Sequence, residues 1–254
     1  MNNLKENFRK KHTIEDLLKL TEQIKDNNLK NIVIDFINNP LPTHNEVNNT
    51  NISFEQSPGS IRWHHKYEGG LIEHTISVVK LALNMAKTFE EVYNLNLNKD
   101  LIIAGGILHD LMKPQNYNII NEEDDDNING DNNKYDHIKN FHLEHLILMT
   151  SEMYKRNLPM NLIKVVCSHH GEYGPMKPDS IEGWLIHYAD NIDSSLNNIA
   201  IRIGQSRAKE LGISENELYN LFTPLKLYEL RSTIGKDKLK EDLKEIFNNE
   251  ENEE

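Results

Sequence analysis

Histidine and aspartate side chains that could bind a metal ion occur at five places between residues 74 and 190. The candidates are His74, His109, Asp110, His142, His169, His170 and Asp190. They offer nitrogen and oxygen ligands and no sulfur, a set that suits Fe(II), Mn(II), Co(II), Ni(II) or Zn(II). A hydrolytic metal centre needs several neutral imidazoles and carboxylates, with positions left open for water. The residue types therefore predict hydrolysis driven by one or two bound cations.

Helices predicted from hydrophobic periodicity must position these side chains. The successive intervals of 35, 32, 27 and 20 residues each fit one helix and one connection, so a helical bundle could bring all the candidates to one centre. The pattern contains no convincing strand and no internal repeat. We predict an all-α fold.

The helix that carries His74 is predicted to start at Gly69-Gly70, because Val78, Leu81 and Met85 share a buried stripe with the histidine. The next helix is predicted over about Lys99–Met112, with His109 and Asp110 near its end. Its central pair, Gly105-Gly106, would allow a close approach by a neighbouring element. Two helical stripes are predicted at the N-terminus, from Thr13 to Leu29 and from Ile32 to Ile37, and further helices over about 136–155, 161–170, 180–205 and 225–247.

Three regions are predicted along the chain. Residues 1–56 form an N-terminal helical extension, 57–210 the domain that carries the candidate ligands, and 211–254 a helical segment with an acidic tail. The stretch 121–134 lacks an apolar pattern and contains five consecutive acidic residues, so we interpret it as an acidic surface loop insertion. A calcium loop is the alternative, but the ligand spacing of an EF-hand is missing.

Composition narrows the functional classes. The net charge of −12 and the lack of a basic stripe argue against a surface that binds nucleic acid. No apolar run is long enough for a membrane span, and the N-terminal segment lacks the features of a signal peptide. The single cysteine, Cys167, excludes an internal disulfide and fits a reducing compartment. We expect a cytoplasmic protein without a membrane or nucleic-acid partner.

The order of the candidate ligands and the residues around them resemble the HD superfamily of metal-dependent phosphohydrolases. The similar segments are HHKYEGGLIEHT (64–75), ILHDLMK (107–113) and SHHG (168–171), and the resemblance spans about residues 60–205. It implies a helical bundle with a metal site in its core. It also implies a first ion held by His74, His109, Asp110 and Asp190, and a second held by Asp110, His142, His169 and His170.

A narrower resemblance is to the archaeal dihydroneopterin 2′,3′-cyclic phosphate phosphodiesterase family. It rests on the segments NNPLPTH (38–44), SPGSIRWHHKYEGGLIEHT (57–75), LHDLMKPQNY (108–117) and IHYADNIDSSLN (186–197). This resemblance implies Fe(II) as the cofactor, a small-molecule cyclic phosphate as the substrate, and a place in methanopterin biosynthesis. We also expect a homo-oligomer.

Other polar residues are candidates for handling the substrate. Lys113, one turn after His109, could contact a phosphate oxygen, and His65 could donate a proton to the leaving alkoxide. Arg62, Lys66 and Arg202 could add positive charge. His145, three residues after His142, could replace it or support it. Aromatic candidates for stacking on a pterin are Trp63, Tyr67, Tyr117, Tyr173 and Trp184, and we assign structural roles to His12, His44, His137 and His187.

Two other functions stay open from the sequence. One is an HD-type 3′–5′ exoribonuclease or nucleotide phosphohydrolase, whose SHHG and GGL-x-x-H contexts look similar. The region before the first motif is short for the single-strand-binding module of such exoribonucleases. The other is a regulatory protein whose metal centre is not catalytic. Loss of a ligand would indicate that role, and the sequence lacks none of them.

Overall fold

Helices dominate the part of the chain that the structure, a computed structural model, describes: residue 4 and residues 8–47, 50–119, 135–138 and 143–250. Their bounds are α1 (Ile14–Thr21), α2 (Asn27–Asn38), α3 (Gly70–Tyr93), α4 (Lys99–Leu108), α5 (His145–Lys155), α6 (Met160–Cys167), α7 (Ile181–Leu211), α8 (Glu215–Leu221), α9 (Pro224–Ile234) and α10 (Lys236–Glu250). The predicted all-α class is confirmed.

The two N-terminal stripes form two helices, α1 and α2, but the second begins earlier than predicted, directly after Asp26. The Asp26 carboxylate accepts hydrogen bonds from the backbone N–H groups of Asn28 and Leu29, at 2.9 and 3.1 Å, and so caps the start of α2. Thr13 is the N-cap of α1, as predicted, and its N–H donates to the Asp16 carboxylate at 3.3 Å. The apolar faces of both helices enter the main core.

Helices α3 and α4 pack closely because α4 has no side chain at the contact. A Cβ atom on Gly106 would lie 2.8 Å from Val79 Cγ2, and one on Gly105 would lie 2.6 Å from Val165 Cγ1. Both distances are too short for real Cβ contacts. The predicted close approach at this glycine pair is confirmed, and it brings α3, which carries His74, against α4, which precedes His109.

The end of α4 and the segment after it differ from the prediction. The α-helix ends at Leu108, so His109 and Asp110 lie in a turn, followed by a 3₁₀ helix over Lys113–Asn116. Pro114 lies at the start of this 3₁₀ helix and, because proline has no N–H, prevents an α-helix from continuing through it. Two short antiparallel strands follow, β1 (Tyr117–Ile119) and β2 (Tyr135–His137), where none was predicted.

The helix predicted over 136–155 begins only at His145, since β2 occupies 135–137. The helix predicted over 161–170 ends at Cys167, which leaves His169 and His170 in the turn after it. The last predicted stretch, 225–247, is divided into α9 and α10 at Gly235, whose φ of 86° is unfavourable for other residues. The metal-ligand candidates therefore lie at helix ends more often than predicted.

Residues His12–Ser194 form one compact unit. Its core contains apolar side chains from α1 to α6 and from the first part of α7, with the largest fully buried ones including Phe36, Leu71, Ile72, Ile102 and Ile107. Helices α1 and α2 thus share a core with the elements that carry the candidate ligands. The division of the chain into separate regions at residues 57 and 211 stays a prediction.

A second unit consists of residues 1–11 and 195–254. Within it, the buried Tyr219 hydroxyl donates to the Ile201 carbonyl at 2.8 Å, and Arg9 N–H donates to the Leu221 carbonyl at 2.6 Å. The acidic insertion 121–134 and the last four residues of the tail lie outside the described residues. None of the described helices combines the length and the apolar character needed to span a bilayer.

Candidate metal centre

Asp110 lies at the centre of a group of buried histidine and aspartate side chains. Its Oδ2 is 3.3 Å from His109 Nε2 and 3.5 Å from His74 Nε2, and its Oδ1 is 3.1 Å from His145 Nε2. The turn after α4 places this carboxylate between α3 and α5. We define the histidine–aspartate cluster as His74, His109, Asp110, His145, His169, His170 and Asp190.

Three candidates from the sequence meet on one side of Asp110: His74, His109 and Asp190. His74 Nε2 lies 3.4 Å from His109 Nε2 and 3.2 Å from Asp190 Oδ1. His74, His109 and Asp110 are fully buried, whereas the Asp190 side chain keeps 17% of its surface exposed. Nitrogen and oxygen atoms from three helical elements thus point at one small volume, as a metal centre requires.

The other side of Asp110 is formed by His145, His169 and His170. Nitrogen atoms of these three histidines lie within 4.8 Å of one another. His169 Nε2 is 3.7 Å from Asp110 Oδ1, so the same carboxylate borders both groups. His142, the sequence-based candidate for this group, lies outside the described residues. His145, the first residue of α5 and the possible substitute for His142 in the sequence analysis, belongs to the group.

Backbone carbonyls fix the protonation of two imidazoles. His109 Nδ1 donates to the Gly106 carbonyl at 2.7 Å, and His169 Nδ1 donates to the Val166 carbonyl at 2.7 Å. Because a carbonyl can only accept, each Nδ1 carries the proton and each Nε2 presents its lone pair to the cluster. This is the arrangement of a histidine that binds a metal through Nε2.

Three buried polar atoms in the cluster, Asp110 Oδ1, His145 Nε2 and His169 Nε2, lie near one another but form no hydrogen bond of suitable geometry among the described residues. A buried polar atom without a partner is costly, and native structures usually satisfy such atoms with water or an ion. His145 Nε2 and His169 Nε2 lie 3.1 and 3.7 Å from Asp110 Oδ1, so the three atoms lie together on one side of the Asp110 carboxylate. The donor set therefore fits a divalent cation.

The electrostatics of the cluster favour positive charge beside its carboxylates. Burial would lower the pKa of His74, but Asp110, Asp190 and Asp193 outweigh it and raise that pKa well above its ordinary value. Burial would raise the pKa of Asp190, but His74 and His109 outweigh it and lower that pKa. Burial would also raise the pKa of Asp110, but Lys113 and His109 outweigh it and lower that pKa. The Asp110 and Asp190 carboxyls are thus held ionised, and the cluster attracts a proton or a metal cation.

The histidines farther from the carboxylates are held neutral. Burial lowers the pKa of His169 well below its ordinary value, and His170 and His109 add to the effect. Burial also lowers the pKa of His170 and that of His64. A neutral imidazole is the form that binds a metal.

The basic residues predicted near the phosphate differ in their positions. Lys113 Nζ forms an ion pair with Asp110 Oδ2 at 2.6 Å, so its charge lies in the cluster. Arg62 is exposed and Lys66 is half-buried on the segment before α3. Arg202 is exposed on the part of α7 that belongs to the second unit. Lys113 therefore contacts a cluster residue directly.

His65 forms a pair with its neighbour His64. Their Nδ1 atoms are 3.1 Å apart, and the ring of His64 lies 5.0 Å from that of His74. His65 is almost fully buried and adopts a φ of 48°, whereas His64 is half-buried. The predicted proton donor is therefore beside the cluster, and His64 occupies a more open position that the sequence did not single out.

Two further residues support the cluster and were not predicted to do so. Asp193 Oδ2 accepts from His74 Nδ1 at 2.6 Å, and the only sequence signal was its position one turn after Asp190. His187, assigned a structural role, donates from Nδ1 to the His169 carbonyl at 2.7 Å. Its ring fills the space beside Gly171, where a Cβ would lie 2.3 Å from the imidazole.

The predicted aromatic candidates are divided between the surface and the interior. Trp63 and Tyr173 are exposed, by 65% and 96%, whereas Tyr67 and Tyr117 are buried. Trp184 is half-buried and stacks on Tyr188, with ring centroids 5.6 Å apart. Trp63 is the exposed aromatic residue that directly precedes the His64–His65 pair.

The helices and the histidine–aspartate cluster define the class of the protein. The HD domain family model matches residues 71–195, a range that contains the whole cluster. No solved structure matches the chain.

Curated relatives define the group more narrowly. The chain is 52% identical over 234 residues to the dihydroneopterin 2′,3′-cyclic phosphate phosphodiesterase of Methanocaldococcus jannaschii, covering 92% of this chain and 90% of that protein. It is 30% identical over 155 residues to the 3′-5′ exoribonuclease YhaM of Bacillus subtilis, covering 57% of this chain and 44% of that protein. The chain therefore belongs to the HD domain family, in the group that includes the Methanocaldococcus phosphodiesterase.

Proposed function

We infer that this chain is a metal-dependent cyclic phosphodiesterase that hydrolyses 7,8-dihydroneopterin 2′,3′-cyclic phosphate to the 2′- or 3′-monophosphate. The observation that carries this inference is the 52% identity to a phosphodiesterase of that name over nearly the whole length of both proteins. The histidine–aspartate cluster supplies the chemistry that such a reaction needs. We assign the reaction to methanopterin biosynthesis, on the resemblance found in the sequence.

We propose two overlapping sets of metal ligands. His74, His109, Asp110 and Asp190 would hold one ion, and Asp110, His145, His169 and His170 would hold a second. His145 takes the position that the sequence assigned to His142, since its nitrogen lies 3.1 Å from Asp110 Oδ1. Fe(II) is our proposed resident metal, and Mn(II), Co(II), Ni(II) and Zn(II) are compatible with the same ligands.

The bound ion supplies two effects, since it polarises a phosphoryl oxygen and makes water more acidic. The chain's own residues position the reactants. Lys113, paired with Asp110, can turn its ammonium group to an equatorial phosphate oxygen, and Arg62 and Lys66 are the predicted contacts on the preceding segment. His65 stays the predicted proton donor to the leaving alkoxide, with His64 beside it.

The main alternative is a 3′–5′ exoribonuclease activity, which the name of the Bacillus relative suggests. The match to that relative covers 44% of its length, so more than half of it has no counterpart in the alignment. The net charge of −12 also argues against binding a single strand, which needs a positively charged groove. A non-catalytic metal-binding protein is the second alternative, and the full set of candidate ligands argues against it.

We propose a cytoplasmic location and a small-molecule substrate, with no nucleic-acid partner. The single cysteine, Cys167, supports a reducing compartment. We keep the homo-oligomer as a proposal that size-exclusion chromatography with light scattering can test.

The proposed function can be tested with protein stripped of metal and reloaded anaerobically. Fe(II)-loaded protein should convert dihydroneopterin 2′,3′-cyclic phosphate to a monophosphate, followed by ³¹P NMR, and chelation should stop the reaction. Reloading with Mn(II) or Zn(II) in place of Fe(II) would rank the metals by the rate of this conversion. Protein that binds Fe(II) but leaves the cyclic phosphate intact would contradict the proposed substrate.

A further inference from the structure

Asp193 is a buried carboxylate that contacts the cluster from behind. It lies on α7, three residues after Asp190, and is 5% exposed. Its Oδ2 accepts from His74 Nδ1 at 2.6 Å and is 3.5 Å from His65 Nε2. One carboxylate thus joins α7, α3 and the segment before α3.

The contact with His74 determines which nitrogen is available to a metal. An ionised carboxylate can only accept, so the proton of a neutral His74 lies on Nδ1 and the lone pair on Nε2. His74 Nε2 is the atom that lies near Asp110 and Asp190. Without the carboxylate, the imidazole could carry its proton on Nε2 or rotate, and either change would remove a ligand atom from the cluster.

The contact with His65 acts on a strained part of the chain. His65 has a φ of 48°, a backbone conformation that residues other than glycine rarely adopt. Its carbonyl accepts from Gly59 N–H at 2.9 Å and lies against α3 where Gly70 leaves space. Strain of this kind persists only when surrounding contacts hold it. The contact with Asp193 is one of them.

We propose that Asp193 is a positioning residue that sets the tautomer of His74 and, through His65, holds the 57–65 segment against the metal centre. It contacts His74 and His65, and it contacts none of Asp110 Oδ1, His145 Nε2 and His169 Nε2. It therefore acts through the two histidines. The inference rests on the proposed function only in taking His74 as a metal ligand.

The first test measures metal affinity without any substrate. Full-length Asp193→Asn and Asp193→Ala would be compared with the wild type by titrating Mn(II) against a competing chelator. Loss of a residue that orients a metal ligand typically weakens binding about 10- to 100-fold. We expect Asp193→Ala near the upper value. Asp193→Asn should lose less, because its amide oxygen can still accept from His74 Nδ1.

Glu152→Gln provides the matched control. Glu152 is also a buried carboxylate of the same unit, 4% exposed, but it binds the Thr43 N–H at 2.7 Å and Arg156, away from the cluster. Its neutralisation should leave the Mn(II) affinity unchanged. If it weakened Mn(II) binding as much as Asp193→Asn does, general destabilisation would explain the loss and the proposal would fail.

A second measurement reports the tautomer directly. Two-dimensional ¹H–¹⁵N spectra of the metal-free protein, recorded at a pH where His74 is neutral, distinguish a protonated Nδ1 from a protonated Nε2 for each histidine. His74 should be protonated on Nδ1 in the wild type, partly retain this state in Asp193→Asn, and lose it in Asp193→Ala. Should Asp193→Ala not fold, Asp193→Asn decides the question by affinity and tautomer together.

Wild-type affinity and an unchanged His74 tautomer in the Asp193 variants would overturn the proposal. That outcome differs from failure of the proposed function, in which the wild type binds metal and shows the predicted tautomer but does not hydrolyse the pterin cyclic phosphate. The two inferences can therefore fail separately.

Discussion

At the scale of single residues, the centre depends on atoms whose other contacts are already fixed. His109 and His169 each donate Nδ1–H to a backbone carbonyl three residues earlier, which leaves Nε2 for the cluster. The sequence could give the residue types and their order, because both follow from the spacing of polar positions. It could not give these tautomers, because they depend on how the chain turns after α4 and α6.

Asp110 borders both groups of histidines, so its loss should damage both proposed metal positions. Asp110→Asn should lower turnover of the cyclic phosphate by more than about 100-fold, since even residues behind a metal ligand cost that much. Turnover and metal content per chain would be measured together. Asp136→Asn, which removes an exposed carboxylate on β2, should behave as the wild type. An active Asp110→Asn enzyme with full metal content would refute the ligand role.

One ligand position in the second group is assigned to His142 by the sequence and to His145 by our proposal. His145→Ala should remove one ion per chain and most of the activity, because its Nε2 is one of the unsatisfied buried atoms that face the centre. His142→Ala should retain the full metal content and the activity. Metal analysis of the two variants side by side checks this assignment. The reverse result would restore the sequence-based prediction of His142.

At the scale of elements, the helix ends create the site. The spacing of apolar residues predicted α3 from Gly69-Gly70 and the close packing at Gly105-Gly106, because periodicity reports which face is buried. It missed the end of α4 at Leu108 and the late start of α5 at His145. Local hydrogen bonds, Pro114 and strand pairing decide those ends, and hydrophobic periodicity does not report them.

Gly70 is the point where the segment that carries His64 and His65 meets α3. A Cβ there would lie 2.1 Å from the His65 carbonyl oxygen, so Gly70→Ala must displace the backbone. We expect a loss of about 1–3 kcal/mol in the free energy of unfolding, as for other overpacked positions, together with lower activity. Urea denaturation measures the first quantity. Gly183→Ala, where a Cβ would be 3.1 Å from the nearest atom, is the milder comparison.

At the scale of the whole molecule, bound metal should contribute to stability. Ions that bind the folded chain alone would stabilise it by about 2.7 kcal/mol when free metal is about 100 times Kd. Chelation should therefore lower the melting temperature, and Mn(II) should restore it. Asp110→Asn should show a smaller shift. A melting temperature that does not respond to chelation would argue against metal binding in the core.

The acidic character of the chain fits a small substrate at a cationic centre better than a long polyanion. Because the chain has a net charge of −12, most of its surface would repel a nucleic acid. A small phosphoester needs positive charge only at its binding site. Composition alone led to this view, and the length of the match to the Methanocaldococcus phosphodiesterase supports it. The pterin itself could not be predicted from composition or spacing and rests on similarity.

One competition experiment tests the central claim most directly. Fe(II)-loaded protein would be given dihydroneopterin 2′,3′-cyclic phosphate and a labelled single-stranded RNA in the same mixture, with both products followed over time. The account predicts that the pterin monophosphate forms while the RNA keeps its full length. Shortening of the RNA with the pterin cyclic phosphate left intact would contradict it.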